Sequence, residues 1–375
     1  MPGAFANRFV VFNDILVQPT RLPPQGGMPA HGGPAFPADA PTFVHQCRGG
    51  RLLRAPPPVS TEGAAAAAIL PGTYLFAGPI WRHFGHMMGE FVHRLWVSDL
   101  PGMAGAAALF TCTDGRPVPG FVPQALALLG IGAATYVDRP VRVERLVVGE
   151  PGKMLGSVAA PDYVAWLSRR LAHRRPAADA APRLAVMRGH LPRGRWLWEA
   201  WFEQRLAAAG YLLFRPEEHS LEEQARTYLG ARQIIFSEGS ALHLLDILPP
   251  LAAEVAVICR RPEHSMAADT LAGKCRRFVE FRAVTPLHDP TGHVLPANAI
   301  GVLRPSELGG WLEAEGFLPR GSRTGRPAPA DLPSLIGDLL AVTQRAPKRN
   351  QSLADPREDE AALRDALSRL MLTLL

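Results

Sequence analysis

QIIFSEGSALHLLDILPPLAAEVAVICR, residues 233–260, contains two apolar runs separated by a polar turn and a longer apolar segment. The runs QIIFS (233–237) and EVAVICR (254–260) are short and rich in β-branched residues, which predicts buried strands. The segment from 240 to 248 between them predicts a helix. Strand, helix and strand in this order form a βαβ unit, so the stretch predicts a parallel sheet covered by helices.

The same alternation extends upstream of this unit. Strands are predicted at 183–188 (RLAVMR) and 211–215 (YLLFR), and helices at 196–209 and 220–231. Ser220 is followed three residues later by Glu223, a capping-box signature that marks the start of the second of these helices. Regular alternation of strands and helices predicts a doubly wound α/β domain.

A further α/β unit is predicted before residue 170. Its strands are TYLFAGPI (73–80), AALFTCT (107–113) and VERLVVGE (143–150), and its helices lie at 83–98 and 121–131. Residues 18–72 are rich in Pro, Gly and Ala and predict long surface loops around a few strands. The segment 171–183 predicts the tail of a helix that runs into a linker. The predicted domains are therefore 1–170 and 184–330, followed by a tail, 331–375, with an amphipathic helix at 359–375.

Composition limits the class of partner. The formal net charge is +6, but only three of the 40 basic residues are lysine, which indicates compositional bias as much as selection for phosphate contacts. No basic block with interleaved aromatic residues occurs, so a nucleotide-sized anion fits better than a nucleic acid. The four cysteines show no CxxC spacing, and no leader or apolar stretch of about 20 residues is found. We therefore expect a cytoplasmic protein without a transmembrane segment; contact with the inner face of a membrane and a homodimer stay open.

The predicted helix 83–98 places polar residues on one side. On a helical wheel His83, His86, Glu90 and His93 lie opposite an apolar stripe, and Gly85 and Gly89 lie beside them. Each glycine inside a helix costs about 1 kcal/mol relative to alanine, so this pair indicates close approach by another backbone or a ligand.

This face has three interpretations. His86 and Glu90 are four residues apart, which allows the carboxylate to orient the imidazole as a general base. The same residues also fit an ordinary solvated surface. A metal site is less favoured because the H-E-x-x-H spacing of zinc proteases is absent.

A second candidate site follows the strand 233–237. The turn Ser237-Glu238-Gly239-Ser240 leads into the next helix, where backbone amides and His243 offer an anion site for a diphosphate. Such turns occur in every doubly wound sheet, so a purely structural role is the alternative. Arg188 directly follows its strand and is expected to reach the same crevice, where an arginine binds phosphate well.

Together these segments resemble glycosyltransferase family 61, in its bacterial branch, over roughly residues 73–260. Gly85-His86 with Glu90 match an aromatic-Gly-His-x-x-x-Glu segment, Glu223-Gln224 a Glu-Gln pair, and Gly239-Ser240-Ala241 a Gly-Ser-Ala turn. The family's Ser-Arg pair is Met187-Arg188 here, so the hydroxyl is missing.

The resemblance implies a GT-B architecture, with two Rossmann-like doubly wound domains that face a cleft. It also implies an inverting, metal-independent hexosyl or pentosyl transferase without a cofactor, whose donor is a nucleotide-sugar, in the first place a UDP-sugar. The expected acceptor is a hydroxyl of a cell-surface glycan or glycoconjugate. The expected site residues form three groups: His86 and Glu90 are catalytic; Arg188, Gln224, Ser237, Glu238, Gly239, Ser240 and His243 bind the donor; His83 and His93 contact the acceptor. The alternatives are a metal-dependent hydrolase that uses His83 and His86, and a non-catalytic nucleotide- or carbohydrate-binding protein.

Overall fold

The computed structural model describes residues 8–21, 32–48, 51–52, 63–64, 66–113, 115–174, 176, 181–191, 194–260, 266–283, 300–301 and 303–322. The predicted tail 331–375 with its helix 359–375, and part of the predicted linker, lie outside these residues. Among the helices of the described part, none is long and apolar enough to cross a membrane.

The first half of the chain forms a mixed sheet. Its elements in chain order are β1 (Phe9–Gln18), β2 (Gly33–Pro34), β3 (Cys47–Arg48), β4 (Arg51–Leu52), β5 (Ala68–Pro79), α1 (Phe84–Glu90), β6 (Ala107–Thr111), α2 (Phe121–Leu128), β7 (Ala134–Val137), β8 (Val141–Gly149) and α3 (Pro161–Arg170). The sheet order is β2-β1-β8-β5-β6-β7, and β3 and β4 form a separate hairpin. Strands β8, β5, β6 and β7 are parallel, whereas β1 runs antiparallel to β8 and β2.

The second half forms the predicted parallel sheet. Its elements are β9 (Arg183–Val186), β10 (Arg195–Trp196), α4 (Glu199–Ala208), β11 (Leu212–Leu213), α5 (Leu221–Gly230), β12 (Gln233–Ser237), β13 (Glu254–Ile258), α6 (Ala267–Leu271), β14 (Arg277–Phe281), β15 (Ile300–Gly301) and α7 (Pro305–Ala314). The order is β11-β9-β12-β13-β14 with all strands parallel, and β10 pairs with β15. Ile234, Ile235 and Phe236 are fully buried, as expected for a strand covered on both faces.

The sequence predicted central strands and helices of both sheets. Other elements, among them β7 and β14, were not predicted, and the structure differs from the sequence analysis at three further points. The first sheet is mixed rather than wholly parallel, because β1 was not predicted and joins it from the N-terminus. The predicted helix 83–98 is wrong beyond Glu90: Val92 has φ +66°, and the chain continues into a 3₁₀ helix, Leu95–Asp99. The predicted helix 240–248 is a 3₁₀ helix, Ser240–Ile247, called the 240–247 helix below. The capping box of Ser220 and Glu223 is confirmed.

One cluster of buried apolar side chains runs through both sheets. It includes Leu75 and Phe110 from the first sheet and Ile234 and Val257 from the second. Met87 of α1 and Leu244 of the 240–247 helix belong to the same cluster. These two helices therefore join the sheets through a continuous core.

Candidate active site

In the second sheet, the strand order reverses between β9 and β12. The order β11-β9-β12-β13-β14 corresponds to the flavodoxin-like arrangement 2-1-3-4-5, in which ligands bind beyond the carboxyl ends of the strands at the reversal. Arg188 follows β9 at this point, and Glu238, Gly239 and Ser240 follow β12. These four predicted donor residues thus lie at the edge where open α/β sheets place ligands.

The first sheet has a comparable reversal between β5 and β8. From β5 the chain proceeds through β6 and β7 on one side, and β8 returns to the other side of β5. His83 and α1 follow the carboxyl end of β5, and Lys153 follows that of β8. Both reversals therefore contribute residues to the region between the sheets.

The glycines of α1 meet the 240–247 helix. A Cβ built on Gly85 would lie 3.0 Å from His243 Cδ2 and 3.3 Å from Ser240 Oγ. A Cβ built on Gly89 would lie 3.1 Å from His243 Nδ1. The close approach expected from the glycine spacing is therefore real, and the imidazole of His243 is the approaching group.

His86 and Glu90 are joined by a side-chain hydrogen bond on α1. His86 Nδ1 bonds to Glu90 Oε1, one helical turn later. The carboxylate side chain is 1% exposed and the imidazole 34% exposed, so the ring reaches solvent while its orienting partner does not. With Nδ1 turned to Glu90, Nε2 is the ring nitrogen that faces away from the carboxylate. This is the geometry of a base held in one tautomer.

His83 connects α1 to the 240–247 helix. It is the N-cap residue of α1, where its Nδ1 accepts a hydrogen bond from the His86 amide at 3.4 Å. Its Nε2 lies 3.4 Å from Ser240 Oγ. Partial burial lowers the pKa of His83, and the nearby charges of His86, His243 and Arg188 lower it further. The ring is therefore neutral at pH 7, with Nε2 as donor to Ser240.

Arg188 lies over Gly239. A Cβ on Gly239 would come within 2.5 Å of Arg188 Nη1, so only glycine leaves room for the guanidinium. Gly239 has φ 175°, an extended conformation open to any residue. The glycine is therefore explained by its close contact with Arg188 and not by its backbone conformation.

A carboxylate positions the loop that carries Arg188. Glu199 Oε1 accepts a hydrogen bond from the Arg188 amide at 2.7 Å, and Oε2 accepts one from the Trp196 amide at 3.0 Å. Burial raises the pKa of Glu199 to about 7, although the two amides oppose the shift. Burial also lowers the pKa of the Arg188 guanidinium, against the opposing charges of Glu199, Glu217 and Glu238.

Arg260 is a site residue that sequence reasoning missed. It follows β13, next to β12 in the sheet, and its amide and Nε donate to the Glu238 carboxylate and carbonyl, both at 3.1 Å. A Cβ on Gly194 would lie 2.9 Å from Arg188 Nη2 and 3.6 Å from Arg260 Cζ, so the two guanidinium groups are neighbours. The sequence pattern that identified Arg188, an arginine at the end of a buried strand, is also present at Arg260.

The predicted site residues His93, Gln224 and Ser237 are buried. His93 is fully buried beyond the end of α1, and its Nδ1 is 2.9 Å from Tyr163 Oη. A wholly buried side chain offers no surface to an acceptor, and the face shared with His83 ends where the helix ends. The Gln224 amide donates to the Pro216 and His219 carbonyls at 2.7 and 3.0 Å, so it holds the turn before α5. Ser237 is buried at the end of β12.

The residues that the structure describes contain no group of three His, Cys, Asp or Glu side chains that could hold a metal ion. A hydrolase built on His83 and His86 would need a third ligand beside them.

The combination of a histidine-carboxylate pair with an arginine at the reversal of a parallel sheet defines a candidate group-transfer site. Residues 84–279 match the family model for glycosyltransferase 61, which spans α1, the glycine contacts and the whole parallel sheet up to β14. The chain therefore belongs to glycosyltransferase family 61 and is a glycosyltransferase. No curated protein matches the chain.

Proposed function

We propose that this glycosyltransferase is an inverting enzyme of GT-B architecture that transfers a sugar from a nucleoside diphosphate donor to a hydroxyl acceptor. The observation that carries the proposal is the contact between His83 Nε2 and Ser240 Oγ at 3.4 Å. It joins the helix that bears the His86–Glu90 pair to the turn beside Arg188. A base and an anion site on opposite sides of one region are what an inverting displacement requires.

His86 is the base in this mechanism. Its Nε2 takes the proton of the acceptor hydroxyl while the hydroxyl oxygen bonds to the anomeric carbon. The bond between that carbon and the diphosphate oxygen breaks on the opposite face, so the anomeric configuration inverts. The imidazolium formed on His86 is stabilised by the buried carboxylate of Glu90.

The donor diphosphate is proposed to lie between Arg188, Arg260 and the 237–243 turn. Both arginines lie beside Glu238 and Gly239 at the strand ends. Their guanidinium groups and the amides at the start of the 240–247 helix stabilise the charge that develops on the leaving oxygen. This arrangement supports a reaction without a divalent cation.

The donor is proposed to be a UDP-sugar and the acceptor a cell-surface glycan or glycoconjugate, in keeping with a bacterial polysaccharide-building role. The support is the family membership together with the neighbouring guanidinium groups of Arg188 and Arg260 at the strand ends.

A donor panel tests the proposal. The purified protein is heated with UDP-, GDP- and CMP-sugars in EDTA, and the sugar that raises the melting temperature is then used in transfer assays. We expect one nucleoside diphosphate sugar to bind, and NMR of the product to show the opposite anomeric configuration to the donor. A retained configuration contradicts inversion, loss of turnover in EDTA contradicts metal independence, and binding without turnover supports a non-catalytic binding protein.

A further inference from the structure

Three interacting side chains, Lys153, Asp246 and His243, lie next to the glycine contacts of α1. Lys153 Nζ is 3.3 Å from Asp246 Oδ1, and Asp246 Oδ2 is 2.8 Å from His243 Nδ1. The side chains of Lys153 and Asp246 are 2% and 0% exposed, and that of His243 is 13% exposed. These three side chains therefore connect the interior of the protein to the edge of the candidate active site.

This ion pair connects the two sheets. Lys153 follows β8 of the first sheet, whereas Asp246 belongs to the 240–247 helix after β12 of the second. Removing two charges from water costs several kcal/mol per ion, so a buried pair is seldom retained for stability alone. Burial alone would raise the pKa of Asp246, but Lys153 and His243 outweigh it and hold that pKa below its ordinary value.

The His243 ring has a fixed orientation. Gly89 lies against its Nδ1 edge and Gly85 against Cδ2, so α1 confines the ring along its length. Nε2 is bonded to Cδ2 and thus lies towards the end of the ring near Gly85. A Cβ on Gly85 would also come within 3.3 Å of His83 Cε1 and Ser240 Oγ, so this end of the ring faces the candidate active site.

We propose that Asp246, held by Lys153, is a positioning residue that keeps His243 Nδ1–H directed at the protein and Nε2 directed at the donor diphosphate. The protonated ring then donates a hydrogen bond from Nε2 to the leaving oxygen. This assignment rests on the proposed function, because it needs the diphosphate at the 237–243 turn. A buried carboxylate that fixes the tautomer of an active-site histidine has a known precedent in the serine protease triad.

The test compares a purely structural ion pair with a positioning role. Asp246→Asn leaves Lys153 unpaired, so it lowers both stability and binding, and on its own it does not separate the two roles. Lys153→Met/Asp246→Asn removes both charges of the pair. It is expected to restore the melting temperature, because burial lowers the pKa of Lys274, the other buried lysine near Asp246, to about 7, so that this side chain can lose its proton. The probe is pyrophosphate, the part common to all nucleoside diphosphate donors, titrated by calorimetry. We expect the double variant to bind it about 10- to 150-fold more weakly than the native protein, the worth of a charge-assisted hydrogen bond.

Further measurements separate His243 from general packing. In a His243→Asn background, Lys153→Met/Asp246→Asn should cause little additional loss of pyrophosphate affinity, since His243 and Asp246 act as a unit. Long-range ¹H–¹⁵N NMR of the histidine rings should show Nδ1–H at His243 in the native protein and its loss in the Asp246→Asn/Lys153→Met variant. Asp99→Asn, the same chemical change at a carboxylate paired with Arg170, is the matched control.

Full recovery of pyrophosphate affinity and transfer in Lys153→Met/Asp246→Asn would overturn the positioning role and leave the proposed function intact. A His243 ring whose NMR signals do not change in that variant would also overturn it. A native protein that binds neither pyrophosphate nor any nucleoside diphosphate sugar would overturn both proposals.

Discussion

At the scale of single residues, the chemistry of the candidate active site depends on which ring nitrogen of each histidine is bonded within the protein and which faces the substrate. His86 turns Nδ1 to Glu90, His243 turns Nδ1 to Asp246, and His83 turns Nε2 to Ser240. In His86 and His243, Nε2 is therefore the nitrogen that can interact with a substrate. Both ring nitrogens of His83 are hydrogen-bonded within the protein. This division makes His86 the base and His83 a link between the two helices.

Replacing His86 with alanine is expected to lower turnover by a factor on the order of 10²–10⁴, the usual contribution of a general base. Donor affinity should stay nearly native, because the anion site lies on the second sheet. Transfer rates and donor titration with the sugar identified in the panel measure both quantities. Should His86→Ala stay active while Glu90→Gln loses activity, the carboxylate is the base; should both stay active, α1 has no catalytic role.

The contact between Arg188 and Gly239 allows a test with two substitutions. Arg188→Ala should weaken diphosphate binding by about 1.5–3 kcal/mol, since a charge-assisted hydrogen bond is lost. Gly239→Ala should weaken it as well, because the new Cβ would lie 2.5 Å from Nη1 and displace the guanidinium. In the Arg188→Ala background, Gly239→Ala should then add almost nothing, as measured by calorimetry. Additive losses would show that Gly239 acts independently of Arg188.

At the scale of elements, α1 is shaped by what packs on its glycines. A short helix of seven residues with two glycines is unstable alone, and it is held by contact with the 240–247 helix. The close packing keeps the His86–Glu90 pair and the 237–243 turn together. Gly85 and Gly89 therefore lower the helix propensity of α1 but leave room for the His243 ring.

Gly85→Ala/Gly89→Ala is expected to lower the free energy of unfolding by about 1–3 kcal/mol, the usual cost of overpacking. Each alanine alone favours a helix by about 1 kcal/mol, but the two Cβ atoms would press on both Cδ2 and Nδ1 of His243, so the ring cannot move away from both. Gly310→Ala in α7, where the Cβ meets open space, is the matched control and should stabilise the protein. Chemical denaturation measures both. A stabilised double variant would mean that the 240–247 helix shifts freely.

At the scale of the whole molecule, two fully buried ionisable residues, His93 and Glu199, have pKa values shifted away from their ordinary values by burial. Burial lowers the pKa of His93 to about 3 from 6.5, with smaller effects from Asp246, Lys153 and Lys274, so the ring is neutral at pH 7. Burial raises the pKa of Glu199 to about 7 from 4.5. Folding stability therefore depends on pH through these two buried residues in opposite directions.

The contribution of His93 to stability is complete above pH 6.5 and is lost as the pH falls towards about 3. The contribution of Glu199 is complete below pH 4.5 and is lost as the pH rises through about 7. Each changes by at most about 1.4 kcal/mol per pH unit. Relative to the native protein, His93→Gln should therefore become less destabilising from pH 7 to 5, and Glu199→Gln from pH 5 to 8.

Urea denaturation of both variants and the native protein at pH 5, 7 and 8 measures these differences. The native protein alone is a poor probe, because the two slopes oppose each other between pH 4.5 and 6.5. A His93→Gln difference that stays constant from pH 7 to 5 would show that His93 is not held neutral.

The amino-acid sequence by itself determined the parallel sheet and part of the site. Strands and helices of the second half follow from local periodicity, so Arg188, Gly239 and Ser240 were expected at strand ends. The spacing of His86 and Glu90 likewise sets their hydrogen bond within one helical turn. These features depend on residues close together in the chain.

Only the tertiary structure decided where α1 stops and what meets it. Val92 adopts φ +66° and ends the face that periodicity would have continued to His93, because burial of the following residues outweighs helix propensity. The pairing of β1 with β8, and of Lys153 with Asp246, joins residues far apart in the chain. No local sequence pattern predicts such pairs, because the free energy that stabilises them arises only when the chain folds and brings the partners together.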